Sequence, residues 1–456
     1  MSGATAGSPT PRPSPAAPRS YHFPHFERRT LANGLTLVVA PVTKLPLVTA
    51  VALVEAGATA EPAGREGVAT LTAQMLLEGA GGLDGAALSE RFEGIGASVE
   101  ASADWDVAAV TLSAMSDRLP EALALVRDLL RAPDFPEREL LRLRDERRAP
   151  RGPPRAPPRG LADDQFSRAV YQAGSRYALP VDGDTATVGA LTLEDVRNFY
   201  AARYRPGVTT LVFAGDLTMD QASALVEPLF GDWVGEAPRS DSGAPDAAQP
   251  GRSLRVVAKA DAPQSEVRVG HLGLSRSAPD YFDVVVMNAV LGGLFSSRIN
   301  LNLREAHGYT YGAFSAFEWR RNRGPFVIHT AVKSEVTGEA LREILNEIGR
   351  MQREEISEDE LTLATSYLDG VFPIRYETTA AIAGALASLV IHRLPDDYYD
   401  AYRAHVRRVT TTGVLAAART HLHPDHLRIV VVGDPVMIVG PVSEVTGLAA
   451  DVVAAD

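Results

Sequence analysis

Cysteine is absent from all 456 residues. This excludes disulfides and a thiol nucleophile and leaves the redox compartment open. No apolar run reaches the roughly 18 residues of a membrane-crossing helix, so none is expected. Basic residues are outnumbered: Lys and Arg total 45 against 57 Asp and Glu, a net charge of −12. That balance argues against nucleic acid or an anionic membrane as the main partner. The N-terminus, Met1 to Arg19, is rich in Pro, Ser, Ala and Gly and lacks the apolar centre of a signal peptide. It reads as a disordered tail, with cytoplasmic location as the default. A misassigned start site would make a periplasmic location the alternative.

What is present points to two domains. Hydrophobic residues make up 45% of the chain, enough for two cores or more. The segment Leu191–Asp216 aligns without a gap on Val409–Asp434 at an offset of 218 residues, with Pro206 on Pro424 and Gly215-Asp216 on Gly433-Asp434. Each copy reads as an amphipathic helix, a Pro-containing turn and a β-branched strand. The chain is therefore two copies of one α/β domain. In the first copy Asn33-Gly34 predicts a hairpin turn, followed by an alternating strand over Leu47–Glu55. In the second, Leu254–Lys259 and Val267–Leu272 take these parts. The boundaries expected are a tail at 1–25, domains at 26–236 and 254–445, a linker at 237–253 and a tail at 446–456. The class is α+β: an antiparallel-rich sheet with helices packed on one face of it.

The helix predicted from Gly67 to Gly79, with Gly57-Ala58-Thr59-Ala60-Glu61 upstream, carries the most specific signal. Its frame resembles the pitrilysin/insulinase family of zinc peptidases, whose helix bears the inverted motif His-x-x-Glu-His. On this sequence the two histidine positions fall on Thr70 and Gln74, and the glutamate position on Ala73. Residues at i and i+4 share a helix face and can reach one ion. Threonine and an amide are poor zinc ligands, and alanine cannot act as a base toward a metal-bound water. A third ligand would be Glu139 or Glu146, and one carboxylate does not hold zinc. No metal is expected in this chain. The same helix reads equally as an amphipathic core helix with Val68, Leu71 and Met75 inward.

A second constellation follows in the other copy, Leu303-Arg304-Glu305-Ala306-His307-Gly308-Tyr309-Thr310-Tyr311. It matches the family's Leu-Arg-(x)6-Tyr element. The resemblance implies that Arg304 and Tyr311 reach substrate at a zinc site. A guanidinium grips a carbonyl or carboxylate, and a phenol can donate to an oxyanion. It also implies two homologous α/β roll domains facing across a clam-like chamber. Bacterial heteromeric members put the zinc in one subunit and the Arg/Tyr pair in the other.

The remaining candidates read as structural. Gly292-Gly293 lacks the Lys-Ser/Thr of a phosphate loop and is expected to allow a close backbone approach. His421, His423 and His426 suggest a metal cluster, but their repeat mates Arg203, Arg205 and Val208 only close a helix. His307 is a solvated loop histidine or a substrate contact. Asp104-Trp105-Asp106 falls in an alternating strand, Ala97–Ser113, and Arg320-Arg321-Asn322-Arg323 reads as a charged hairpin tip. The Pro/Arg stretch 148–160 is expected to be a non-helical basic loop, or a sequence artefact such as a local frameshift. Together these features predict a non-catalytic subunit of an insulinase-type zinc peptidase. It would bind unfolded peptide and pair with a homologous zinc-bearing chain. The alternatives are a structural or assembly protein on the same scaffold and a self-sufficient peptidase with unusual ligands.

Overall fold

The computed structural model describes residues 20–148, 157–236 and 249–455. The main sheet of the first half has six strands: β1 (Glu27–Thr30), β2 (Thr36–Pro41), β3 (Leu47–Val54), β4 (Ser98–Ala103), β5 (Ala108–Met115) and β6 (Thr209–Gly215). The second half builds β7 (Ser253–Ala258), β8 (Gln264–Leu272), β9 (Ala313–Phe317), β10 (Pro325–Lys333), β11 (Arg428–Gly433) and β12 (Asp451–Ala454). The sheets run β4-β5-β3-β6-β2-β1 and β9-β10-β8-β11-β7-β12, one order written twice. Pairing agrees as well: β2 is parallel to β6 and β7 to β11, while the pairs on the β3 and β8 side are antiparallel.

Only the last edge strand differs. β1 comes from upstream and is antiparallel to β2, whereas β12 comes from the C-terminus and is parallel to β7. The expected tail at 446–456 is therefore partly a strand. The expected tail at 1–25 also needs correction over its described residues. Phe23 is buried and stacks on Tyr399 at 4.7 Å, because an aromatic cluster of the second half offers it a pocket. Most of the expected linker lies outside the described residues. Gln249, at its end, is anchored by donating to the carbonyls of Tyr171 and Arg168.

The central strands read as nearly continuous apolar runs because both sheet faces are covered. In the first sheet Leu37, Val39, Ala50, Ala52, Leu211 and Phe213 meet that half's own helices. The opposite face, Val38, Ala40, Val51, Leu53, Val212 and Ala214, belongs to the core of the second half.

What covers that second face is exchanged. Helices α1 (Val68–Met75), α2 (Glu137–Arg148) and α3 (Pro158–Val170) precede β6 in the first half; α4 (Glu358–Arg375) and α5 (Thr379–His392) precede β11 in the second. α3 leaves its own half and lays Leu161, Ala162, Phe166 and Val170 on Val257, Leu272, Val430 and Val432 of the second sheet. α5 crosses the other way and places Ile382, Leu386 and Leu389 against β3 and β6. Gly270 makes room for α3: a Cβ there would meet the Phe326 carbonyl oxygen at 1.9 Å and Phe166 Cζ at 2.9 Å.

Three further expectations change. Ala97–Ser113 is not one strand: Asp104–Val107 is the turn of the β4–β5 hairpin. The stretch 148–160 is helical at its ends, since α2 reaches Arg148 and α3 starts at Pro158, where a missing amide costs nothing; residues 149–156 lie outside the described residues. The helical stretch Tyr281–Ala306 is long and apolar enough to cross a membrane, but 61% of its apolar window is buried inside the protein, as in a core helix.

Candidate functional site

α1 is buried nearly all round, with Val68, Leu71 and Met75 in the core. Its first turn is capped from outside the helix. Glu61 Oε1 accepts from the Gly67 and Ala69 amides at 3.0 and 2.8 Å, and Oε2 accepts from Arg176 Nε at 2.6 Å. A carboxylate here satisfies free amides and opposes the positive end of the helix. Burial pushes the Glu61 carboxyl up to about 7, against the pull of Arg176 and the two amides. Arg176 also donates to the Leu179 and Val181 carbonyls, both at 3.1 Å. Val181 in turn accepts from Thr70 Oγ1 at 3.4 Å.

The three motif positions lie along this helix. Thr70 is turned to the Val181 carbonyl. Ala73 is 1% exposed and part of the core, so a carboxylate in its place would be forced into apolar packing. Gln74 Oε1 accepts from Arg147 Nη2 at 2.7 Å. A guanidinium thus sits beside the position where the family's motif would put a dication. Glu139 and Glu146 do not supply a ligand set, because both are held by Arg142, at 2.6 and 2.7 Å. Among the described residues no three His, Cys, Asp or Glu side chains gather as a metal site. These donors do not fit a zinc ion, and no catalytic step through a metal is derived for this chain.

Arg304 and Tyr311 sit in the other half. The Arg304 guanidinium carbon stands 4.4 Å from the Phe295 ring centroid, and its Nε is 3.5 Å from Glu305. Tyr311 is 92% exposed, so its phenol is open to another molecule. The backbone around it is pinned: Thr310 Oγ1 donates to the Ala331 carbonyl at 2.7 Å, and Asn300 Oδ1 accepts from the Ala313 amide at 3.1 Å. Arg298, six residues before Arg304, makes a two-point bridge to Glu360 at 2.6 and 2.8 Å, tying this segment to α4. No hydrogen bond, ion pair or ring contact among the described residues joins Arg304 or Tyr311 to Thr70, Ala73 or Gln74. The two constellations are not assembled into one site within this chain.

The other candidates resolve as structural. A Cβ on Gly292 would lie 2.5 Å from Ser315 Oγ, so this glycine does allow β9 to approach. His271 Nε2 accepts from the His423 amide at 3.1 Å, and His421 Nε2 lies 2.5 Å from Asp280. These imidazoles are used in the fold rather than at a metal. His307 stacks on Tyr309 at 4.9 Å. Asp106 joins the halves: it accepts from Tyr177 Oη at 2.7 Å and from the Arg321 amide at 2.8 Å. Arg320–Arg323 lies in the hairpin connection between β9 and β10, as expected of a charged tip, but Arg320 is buried against Trp105.

Glu61, Arg147 and Arg176 were not singled out as site residues by the sequence. Glu61 could have been: an acidic residue just ahead of a helix whose entry offers only Gly67 as a cap is a capping signal. The partners of Gln74 and Glu61 lie 73 and 115 positions away, with no local signature.

Residues 38–174 match the model of the insulinase family, peptidase family M16, and residues 190–368 match the M16 inactive domain. Among curated relatives, a probable mitochondrial-processing peptidase subunit beta of Schizosaccharomyces pombe is 26% identical over 59% of each chain. An uncharacterised zinc protease of Streptomyces coelicolor is 22% identical over 86% of each. A crystal structure of a peptidase M16 inactive domain from Pseudomonas fluorescens superposes with a TM-score of 0.82 at 26% identity, covering 90% of this chain and 98% of that one. A Helicobacter pylori protease shares the fold at a TM-score of 0.84 and 19% identity, over 90% of this chain and all of its own. The two family models together match most of the chain, the second model running from the end of the first half into the other half, and the chain belongs to the insulinase (M16) peptidase family.

Proposed function

We propose that this chain is the non-catalytic, substrate-binding subunit of a heteromeric insulinase-type zinc peptidase. Its partner is a homologous chain that carries His-x-x-Glu-His and the zinc. Arg304 and Tyr311 are donated to that site, Arg304 gripping a substrate carbonyl or carboxylate and Tyr311 donating to the oxyanion. The observation that carries this reading is an asymmetry. The motif positions on α1 are packed and bridged to Arg147, whereas Tyr311 stands in solvent on a pinned backbone.

The surroundings of the pair favour an extended peptide. β9 is the edge of its sheet, so one side of its backbone has no strand partner. Phe314 of β9 and Phe295, which packs against Arg304, are exposed. The outward Ala313 amide and Ser315 carbonyl of β9 are taken by Asn300 and Asn288. A peptide here is held by the exposed aromatic side chains and the Arg304–Tyr311 pair rather than by strand addition along that part of the edge. The S. pombe relative is itself named as one subunit of a processing peptidase.

The test is peptide turnover by the reconstituted complex. Tyr311→Phe removes one oxyanion donor and is expected to lower kcat by roughly 100-fold. Arg304→Ala is expected to raise KM or lower kcat/KM without separating the subunits. Unchanged turnover in both variants contradicts the proposal.

A further inference from the structure

A polar cavity of about 420 Å³ lies on the seam between the halves. That volume is in the range of small-molecule sites. The first half contributes Trp105, Asp164 and Asp182 to its wall, and the second contributes Arg268, Glu318 and Arg320. It includes neither the α1 motif nor Arg304 and Tyr311.

The two buried arginines differ in one respect. Arg268 is fully engaged: Nε donates to Asp163 at 2.6 Å, and Nη1 donates to Glu266 at 2.9 Å and to the Val267 carbonyl at 3.1 Å. Arg320 is 5% exposed, and its guanidinium carbon lies 4.2 Å from the Trp105 ring centroid, 4.9 Å from Tyr177 and 5.3 Å from Tyr171. The rings hold the cation in place but accept little of its hydrogen bonding. Among the described residues the guanidinium makes one hydrogen bond, a long one of 3.4 Å from Nη2 to Glu318, and Nη1 has no partner. A buried guanidinium with five donors and one poor acceptor is short of an anion.

The acidic side of the cavity is more open: Asp164 is exposed, so its carboxylate can meet a ligand cation without being stranded when the cavity is empty. Asp164 makes no hydrogen bond or ion pair within 4 Å through its carboxylate among the described residues. Partial desolvation raises its pKa, and the charge of Arg168 works against that. The wall carries three arginines, Arg159, Arg268 and Arg320, and four carboxylates, Asp163, Asp164, Asp182 and Glu318, so an inorganic anion would meet both signs. A molecule bearing both charges satisfies both sides.

We propose that this cavity binds a short zwitterionic peptide of dipeptide size, its carboxylate on the Arg320 guanidinium and its ammonium group on Asp164. The wall residue Val181 is hydrogen-bonded to both Arg176 and Thr70, so occupancy reaches α1 through two contacts. The inference stands whether or not the chain pairs with a zinc-bearing partner.

Calorimetric titration of the full-length chain with L-alanyl-L-alanine tests it, with the C-terminal amide and the N-acetyl derivative as controls. The dipeptide is expected to bind saturably, and each control about tenfold more weakly or worse, the loss of one charged contact at about 1.4 kcal/mol per decade. Arg320→Met is expected to abolish binding. Should that variant fail to fold, Asp164→Asn decides, since it leaves the aromatic cage intact. It is expected to weaken the dipeptide about tenfold and to leave the N-acetyl derivative unchanged. Absence of saturable binding overturns the proposal, as does an amide that binds as tightly as the dipeptide, or full dipeptide affinity in Asp164→Asn.

Discussion

At the scale of the residue, two of the family's motif positions on α1 carry polar side chains that are partnered inside this chain. Polar side chains on a buried helix need partners. Gln74 has Arg147, and Thr70 has the Val181 carbonyl. Arg147→Met is expected to lower stability by roughly 1–3 kcal/mol in urea unfolding, because it strips a charged donor from a half-buried amide. Glu61→Ala is expected to cost a similar amount, roughly 1–3 kcal/mol, since it uncaps α1 and removes one of the acceptors of the partly buried Arg176. Restoring histidine at positions 70 and 74 while Arg147 remains is expected to give no stoichiometric zinc in equilibrium dialysis. The placing of Thr70, Ala73 and Gln74 on the motif positions comes from the resemblance of the helix frame to the family; the i, i+4 spacing adds only that Thr70 and Gln74 share a helix face. Their partners were not legible, because contacts between residues so far apart leave no periodic trace in the sequence.

At the scale of the element, the segment carrying Arg304 is held by its neighbours rather than by its own helical propensity. The Arg298–Glu360 bridge is the main tie. The Arg298 hydrogen bonds hold the Glu360 carboxyl down at about 2, against some desolvation. A carboxyl with a depressed folded pKa stabilises above its unfolded value of about 4.3. That contribution is lost as pH falls from there through about 2. Because the pair is partly exposed, the effect is expected to be about 1–2 kcal/mol. Urea midpoints measured across this window should fall more steeply with acid in the native protein than in Glu360→Gln; equal slopes would contradict the assignment. Elements with strong local signals were legible here: the Asn33-Gly34 hairpin and the paired helix–turn–strand units at Leu191 and Val409. The turn at Asp104–Val107 was missed because Trp105 continues the alternation while its ring leaves the sheet to pack on Arg320. The strand at Asp451 was missed because a short exposed edge carries no amphipathic pattern.

At the scale of the whole molecule, the duplication is completed by exchange. Each half lends one helix to the far face of the other's sheet, α3 in one direction and α5 in the other. Neither sheet is covered without the opposite half. Residues 20–236 expressed alone are therefore expected to expose β2, β3 and β6 and to aggregate, while co-expression with 249–456 should recover a soluble complex. A monomeric, cooperatively folded first half would contradict this. The repeat gave away the duplication, and the resemblance gave the fold of each copy. The exchange was invisible because α3 and α5 have apolar faces that would suit either sheet.

The same scale holds the central claim, that this chain completes another chain's active site. The direct measurement is to purify the full-length protein from its native cells under mild conditions and identify what accompanies it in stoichiometric amount. The account predicts a homologous chain bearing His-x-x-Glu-His, with peptidase activity in the complex that falls when Tyr311 is changed to Phe. Recovery of this chain alone or as a homo-oligomer, with no homologous zinc-bearing chain, would contradict it and turn the reading toward a scaffold without a catalytic role.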